Sequence, residues 1–238
     1  MATASRRLTR KDIRQPDKFI TVAQSFYDSA QKHRFKIFLA AGAVAVAVVV
    51  FLGWRFYVNH QNALAGQEFS RALTLYRDAN YQDAIPAFQK VETYGRSHFY
   101  PLALLYQTNS YFALKDIDKA IETGRRLVGM GNMDSLVRQS ALVSLAAAEE
   151  QKGLCKEAIE HYAEAERIYY SDARNVPGPL KDKATLGKAR CSAQLGDAKG
   201  AIAAYREYLK QGDRELTPYV SAQIAELEAK ATAQPTGK

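Results

Sequence analysis

From Ile37 to Trp54 the chain reads IFLAAGAVAVAVVVFLGW, eighteen residues without a charge. At about 1.5 Å per residue such a helix spans roughly 27 Å, close to the hydrocarbon thickness of a bilayer. The apolar run continues through Phe56, Tyr57 and Val58 if Arg55 bends its stem toward the headgroups, so a membrane-spanning helix is expected over residues 37–58. Trp54, Phe56 and Tyr57 gather at its far end, where an aromatic belt sits. Upstream, PDKFITVAQSFYDSAQKHR predicts a helix with Pro16 in its first turn. Phe19, Val22, Ala23, Phe26, Tyr27 and Ala30 recur on one face of that helix, flanked by Lys18, Lys32 and Arg34. Such a basic amphipathic helix either lies in the inner-leaflet interface or offers a docking face to a partner. Phe19, Phe26, Tyr27, Trp54 and Tyr57 are the expected membrane or cytoplasmic contacts.

Beyond residue 62 the pattern changes to a period. DANYQDAIPAF (78–88), LKDIDKAIETG (114–124), KGLCKEAIEHY (152–162) and LGDAKGAIAAY (195–205) align on an Ala-Ile pair, at Ala84, Ala120, Ala158 and Ala201. The pairs are separated by 36, 38 and 43 residues. Four residues after the alanine stands an aromatic, Phe88, Tyr162 or Tyr205, with Gly124 as the exception. Twelve residues before it stands a small residue: Ala72, Thr108, Ala146 or Ala189. The intervening turns hold Ala79, Lys115, Gly153 and Gly196. Antiparallel helices approach closely where facing residues are small, and the aromatic fills the space beside them. One such pair cannot bury its apolar face alone, so pairs stack.

This arrangement resembles the tetratricopeptide repeat family over roughly residues 63–215, in four repeats. The family's repeat is about 34 residues long, so the longer spacings imply small insertions. The expected fold is all-α: a single transmembrane helix, then a tetratricopeptide-repeat solenoid, then a capping helix over LTPYVSAQIAELEAKA (216–231). Gly124 departs from the family pattern, the proline that usually ends each repeat is missing, and an insertion carrying Pro177-Gly178-Pro179 precedes the fourth repeat. The resemblance implies that the first helix of each repeat lines a binding groove. The groove positions are then Phe69, Leu73, Tyr76 and Arg77, followed by Leu105, Asn109 and Phe112. The third repeat adds Glu150 and Gln151, the fourth Leu186, Arg190 and Gln194. An early apolar stretch giving way to a polar one suits a partner helix or an unfolded segment. Phe69 and Leu73 stand where a clamp for a C-terminal carboxylate would need Lys, Arg or Asn.

Charge alters the picture in one respect. Residues 1–62 carry ten Lys/Arg against three Asp, which is +7 of the net +8 and leaves about +1 for residues 63–238. A nearly neutral domain does not attract phosphate backbones, so no nucleic acid is expected as a partner. Nine of those cations precede the apolar run. The positive-inside rule then holds the N-terminus in the cytoplasm and exports the C-terminal domain, which in a bacterium is periplasmic. A cleaved signal has a shorter apolar core nearer the N-terminus. Cleavage at Ala43-Val44-Ala45 would leave the apolar VVVFLGW at the new terminus, so an uncleaved anchor is expected. Arg6-Arg7 lacks the rest of a twin-arginine signal.

Catalysis finds no support. His33, His60, His98 and His161 are scattered without metal-ligand spacing, and neither a phosphate loop nor a nucleophile elbow occurs. No enzyme activity, cofactor or metal is expected. Cys155 and Cys191 read either as two small buried residues or as a disulfide between neighbouring repeats.

The full layout, with RKDIRQPDKF, the anchor and repeats such as YQDAIPAF, resembles the YfgM-like family of ancillary SecYEG translocon subunits. That resemblance implies a single-pass bacterial inner-membrane protein acting beside the translocation channel with periplasmic chaperones. The alternative is a scaffold subunit of another envelope complex. The expected organisation is a cytoplasmic arm (1–36), the span (37–58), the repeat domain (59–232) and a flexible tail (233–238).

Overall fold

A computed structural model describes residues 27, 31–95, 97–131, 133–171, 176–211 and 214–233. Its contacts divide the chain into two units, Met1–Tyr57 and Val58–Lys238. The described part of the first unit is dominated by helix α1, Arg34–Arg77, which continues into the second. Every apolar side chain from Phe35 to Tyr57 is exposed, and one stretch of α1 is long and apolar enough to cross a membrane. The amphipathic helix expected before it, with Phe19 and Phe26, lies outside the described residues; Tyr27 is exposed.

The second unit is a run of helical hairpins. The C-terminal part of α1 pairs with α2 (Tyr81–Glu92), α3 (Tyr100–Ala113) with α4 (Ile117–Val128), α5 (Ser135–Lys152) with α6 (Cys155–Glu166), and α7 (Lys181–Gln194) with α8 (Ala198–Gln211). A 3-10 turn, Arg214–Leu216, leads into α9 (Thr217–Ala233), which packs on α8 and caps the array. The aligned positions do what their spacing predicts. Ala72, Ala84, Ala120, Ala146, Ala158, Ala189 and Ala201 are wholly buried, as are Thr108, Phe88, Tyr162 and Tyr205 to within 1%. The four turn residues all take the left-handed conformation: Ala79 at φ 57°, Lys115 at 65°, Gly153 at 83° and Gly196 at 78°. Two of the turns therefore hold a side chain where glycine is unstrained.

Gly124, the outlier of the alignment, has a packing reason. A Cβ there would lie 3.2 Å from Leu145 Cδ1 and 3.4 Å from Thr108 Cγ2. Leu145 of α5 is fully buried and packs in one core with Ala120 and Ile121 of α4 beside this glycine. The reverse fit occurs at Gly187, where a Cβ would fall 2.2 Å from Tyr162 Cζ. There the aromatic of α6 presses on the backbone of α7.

Among the described residues between α6 and α7 there is no helix. Tyr169–Ser171 (β1) pairs antiparallel with Val176–Pro177 (β2), with a register shift between Tyr169 and Ser171. This small ladder interrupts an otherwise helical array without changing its all-α class. Gln139 of α5, fully buried, secures the segment: its amide donates to Ala165 O at 3.1 Å and accepts from Leu180 N at 3.1 Å. Gly178 lies so close to that amide that a Cβ would come within 2.4 Å.

Candidate functional site

The first helices of successive hairpins lie side by side, α3 against α5 and α5 against α7. On the face they share, a cavity of about 600 Å³ is lined by Phe112 from α3, Ala147, Glu150, Gln151 and Lys152 from α5, Gly153, and Arg190 and Gln194 from α7. Helical spacing explains the set. Ala147, Glu150 and Gln151 fall three and four residues apart on one face of α5, as do Arg190 and Gln194 on α7.

The floor of this cavity is an ion pair. Arg190 donates from Nε to Glu150 Oε1 at 2.6 Å and from Nη2 to Oε2 at 2.8 Å, a two-pronged geometry. Tyr162 Oη donates to the same Oε2 at 2.8 Å from a nearly inaccessible ring. The Glu150 carboxylate holds the Arg190 guanidinium well above its ordinary value, so it stays charged. Burial first, then Glu150, raises the Tyr162 phenol far out of the physiological range. At the rim, Cys155 Sγ donates to Gln194 Oε1 at 2.9 Å, and Lys152 pairs with Asp118.

The neighbouring residue on α5 points the other way. Glu149 is completely buried, accepting from Arg125 Nη2 at 3.2 Å and bonding His161 Nδ1 at 2.7 Å. It ties α4, α5 and α6 together. The hydrogen bond to Glu149 raises the His161 pKa, against a smaller opposing effect of burial.

Of the twelve expected groove residues, the structure gathers Phe112, Glu150, Gln151, Arg190 and Gln194 around this cavity. The others lie elsewhere. Phe69 is 8% exposed and its ring lies 5.4 to 5.7 Å from Phe88, Phe99 and Tyr106. Leu105, at 8%, packs in a core with Leu127 of α4 and Ala141 of α5, and Leu186, at 9%, joins the α7–α8 core. All three are buried in these cores. Leu73 and Tyr76 are half-buried against the first hairpin's core, Tyr76 meeting Tyr106 at 4.9 Å. Asn109 is half-buried and Arg77 exposed. Trp54 and Tyr57 are both exposed on α1. Ala147, Lys152 and Gly153 were not expected in the lining; helical spacing from Glu150 would have found the first. Among the described residues, no group of three or more His, Cys, Asp or Glu is placed to hold a metal.

Residues 69–135 and 169–215 match the tetratricopeptide repeat family model. No curated protein matches the chain. Among solved structures, the chain is similar to the nearly identical tetratricopeptide-like repeats of a candidate kinesin light chain from Podosopora anserina. Identity is 15%, over 74% of this chain and 99% of that one, with a TM-score of 0.53. A single-residue variant of those repeats matches to the same extent. A thermophilic tetratricopeptide repeat protein of Thermus thermophilus is 22% identical over 70% of this chain and 82% of that one, with a TM-score of 0.43. Hairpin order, buried small positions and the two matched stretches agree: the helices that follow the apolar segment have the fold of a tetratricopeptide-like solenoid.

Proposed function

We propose that this protein is a membrane-anchored adaptor whose solenoid captures a polypeptide segment on the face formed by α3, α5 and α7. The observation that carries the reading is the cavity between Phe112, Gln151, Arg190 and Gln194. It combines an aromatic wall, two side-chain amides able to pair with a partner's backbone, and a floor whose charges are already neutralised by Glu150. A free carboxylate gains little there, because Arg190 is occupied. An extended or helical segment with apolar side chains gains burial against Phe112 and hydrogen bonds from the glutamines.

Residues 37–58 act as the uncleaved span, with the basic arm in the cytoplasm and the solenoid exported. Support comes from the length and full exposure of the apolar stretch and from the nine cations before it. In the setting implied by the translocon-subunit resemblance, the captured segment belongs to a chain emerging from SecYEG or to a periplasmic chaperone. The test is site-specific photocrosslinking from Gln151 and Gln194 in intact cells, with mass spectrometry of the adducts. Adducts with translocon components, chaperones or exported chains that fade in Phe112→Ala are expected. Adducts confined to a stoichiometric subunit of a different envelope complex would move the protein to a scaffold role. No adduct from either position would remove the cavity from consideration as the binding face.

A further inference from the structure

We propose that Cys155 and Cys191 form an intramolecular disulfide that staples the third repeat to the fourth. Cys155 is the first residue of α6 and Cys191 stands in the last turn of α7, on the helices that face each other across that seam. Both are free thiols, 2% and 0% exposed, in one core with Leu142, Ala146, Ala158 and Tyr162. Cys155 Sγ lies 2.9 Å from Gln194 Oε1, three residues along α7 from Cys191, so the two cysteines sit at one level of the seam. The chain holds no other cysteine, so no competing pairing exists within it.

The location has a mechanical sense. The segment joining α6 to α7 runs over residues 167–180, against 93–99 and 129–134 at the other two seams. A longer linker tethers its hairpins more weakly, and the polar ties between α6 and α7 include Glu166, which bonds Thr185 and Lys188, beside the Glu150–Arg190 pair from α5. A covalent bond between residues 155 and 191 closes that long loop. It also takes the Cys155 proton away from Gln194 Oε1, leaving that oxygen free to accept from a ligand in the cavity. Oxidation and groove chemistry are therefore joined at one residue.

The oxidant is a disulfide-bearing exchange partner, RS–SR. One cysteine thiolate attacks it, expelling RS⁻ and leaving a mixed disulfide; the second thiolate attacks that bond, forming Sγ–Sγ and expelling the second RS⁻. Two electrons pass to the oxidant and the two cysteine protons end on the released thiols. Burial pushes the Cys191 thiol far up, so inside the packed seam it stays protonated and unreactive. Exchange therefore belongs to the stage before α7 seats on α6. Closure in the cell rests on the exported placement proposed above, since cytosolic thiols are kept reduced.

The test uses the full-length protein in mild detergent, reduced, then equilibrated with oxidised glutathione in enough urea to open the seam. After acid quenching and alkylation, peptides are mapped by mass spectrometry. A linked pair containing Cys155 and Cys191 is expected, and after urea removal the oxidised form should melt about 5–15 °C above the reduced one. Two alkylated thiols, or glutathione retained on each, would overturn the pairing. A second arm alkylates acid-quenched cells directly. A pair that closes with glutathione but is alkylated at both positions in cells refutes the exported placement and leaves the pairing standing.

Discussion

Gly187→Ala separates tertiary packing from helix propensity, because the two make opposite predictions. Gly187 lies inside α7, where replacing glycine by alanine gains about 1 kcal/mol from backbone entropy alone. The structure puts the new Cβ 2.2, 2.5 and 2.7 Å from three carbons of the Tyr162 ring. That ring is 1% exposed and cannot retreat outward without dragging its hydroxyl from Glu150, the carboxylate that anchors Arg190 in the cavity floor. Overpacking of this kind costs about 1–3 kcal/mol, and loss of a buried hydrogen bond to a charged group about 1.5–3 kcal/mol more. Net of propensity, a loss of about 1.5–5 kcal/mol, centred near 3, is expected. For a domain of this size that lowers the melting temperature by roughly 5–15 °C. Thermal unfolding followed by far-ultraviolet circular dichroism in detergent, with a urea midpoint as a second measure, reads the change. Gly187→Ala/Tyr162→Leu should recover much of it, a non-additivity that a contact requires. A single substitution that raises the melting temperature would refute the close approach of α6 and α7.

Other outcomes follow from the same geometry. Phe69→Ala should destabilise the fold by about 3–5 kcal/mol through a cavity among the rings of Phe88, Phe99 and Tyr106, visible as a lowered urea midpoint; unchanged stability would return Phe69 to the groove surface. Ala79→Gly relieves a left-handed alanine at φ 57° and should stabilise by about 0.5–1 kcal/mol, whereas Gly153→Ala at φ 83° should destabilise by about 1 kcal/mol. Equal and same-signed shifts would contradict the turn conformations. His161 is held above its ordinary pKa by Glu149, so its contribution is fully present below the unfolded value, about 6.5, and fades as pH rises through the higher folded value. The melting-temperature difference between wild type and His161→Gln should accordingly shrink from about pH 6 to about pH 8. A difference that grows over that window would mean the ring is neutral in the fold.

What the sequence determined is local and periodic. The apolar run marks α1 as a candidate span from composition alone. The Ala-Ile pairs, the small residues twelve positions earlier and the turns at Ala79, Lys115, Gly153 and Gly196 mark the helical hairpins and their buried stripes. A helix's inward face follows from a repeat of about 3.6 residues, which is written along the chain. Which first-helix residues face a neighbour and which face a ligand is not written there. Phe69 and Phe112 both stand on first helices, yet Phe69 is enclosed by Phe99 and Tyr106 while Phe112 borders open space. The difference lies in residues from the next hairpin, brought close by stacking. Gly124 likewise has no meaning until Leu145 arrives from the next repeat, and Arg190 reads as a free cation until Glu150 meets it. Stacking of hairpins chose the partners, because side-chain contacts across a seam depend on rotation and spacing between helices, quantities that no single helix carries in its own sequence.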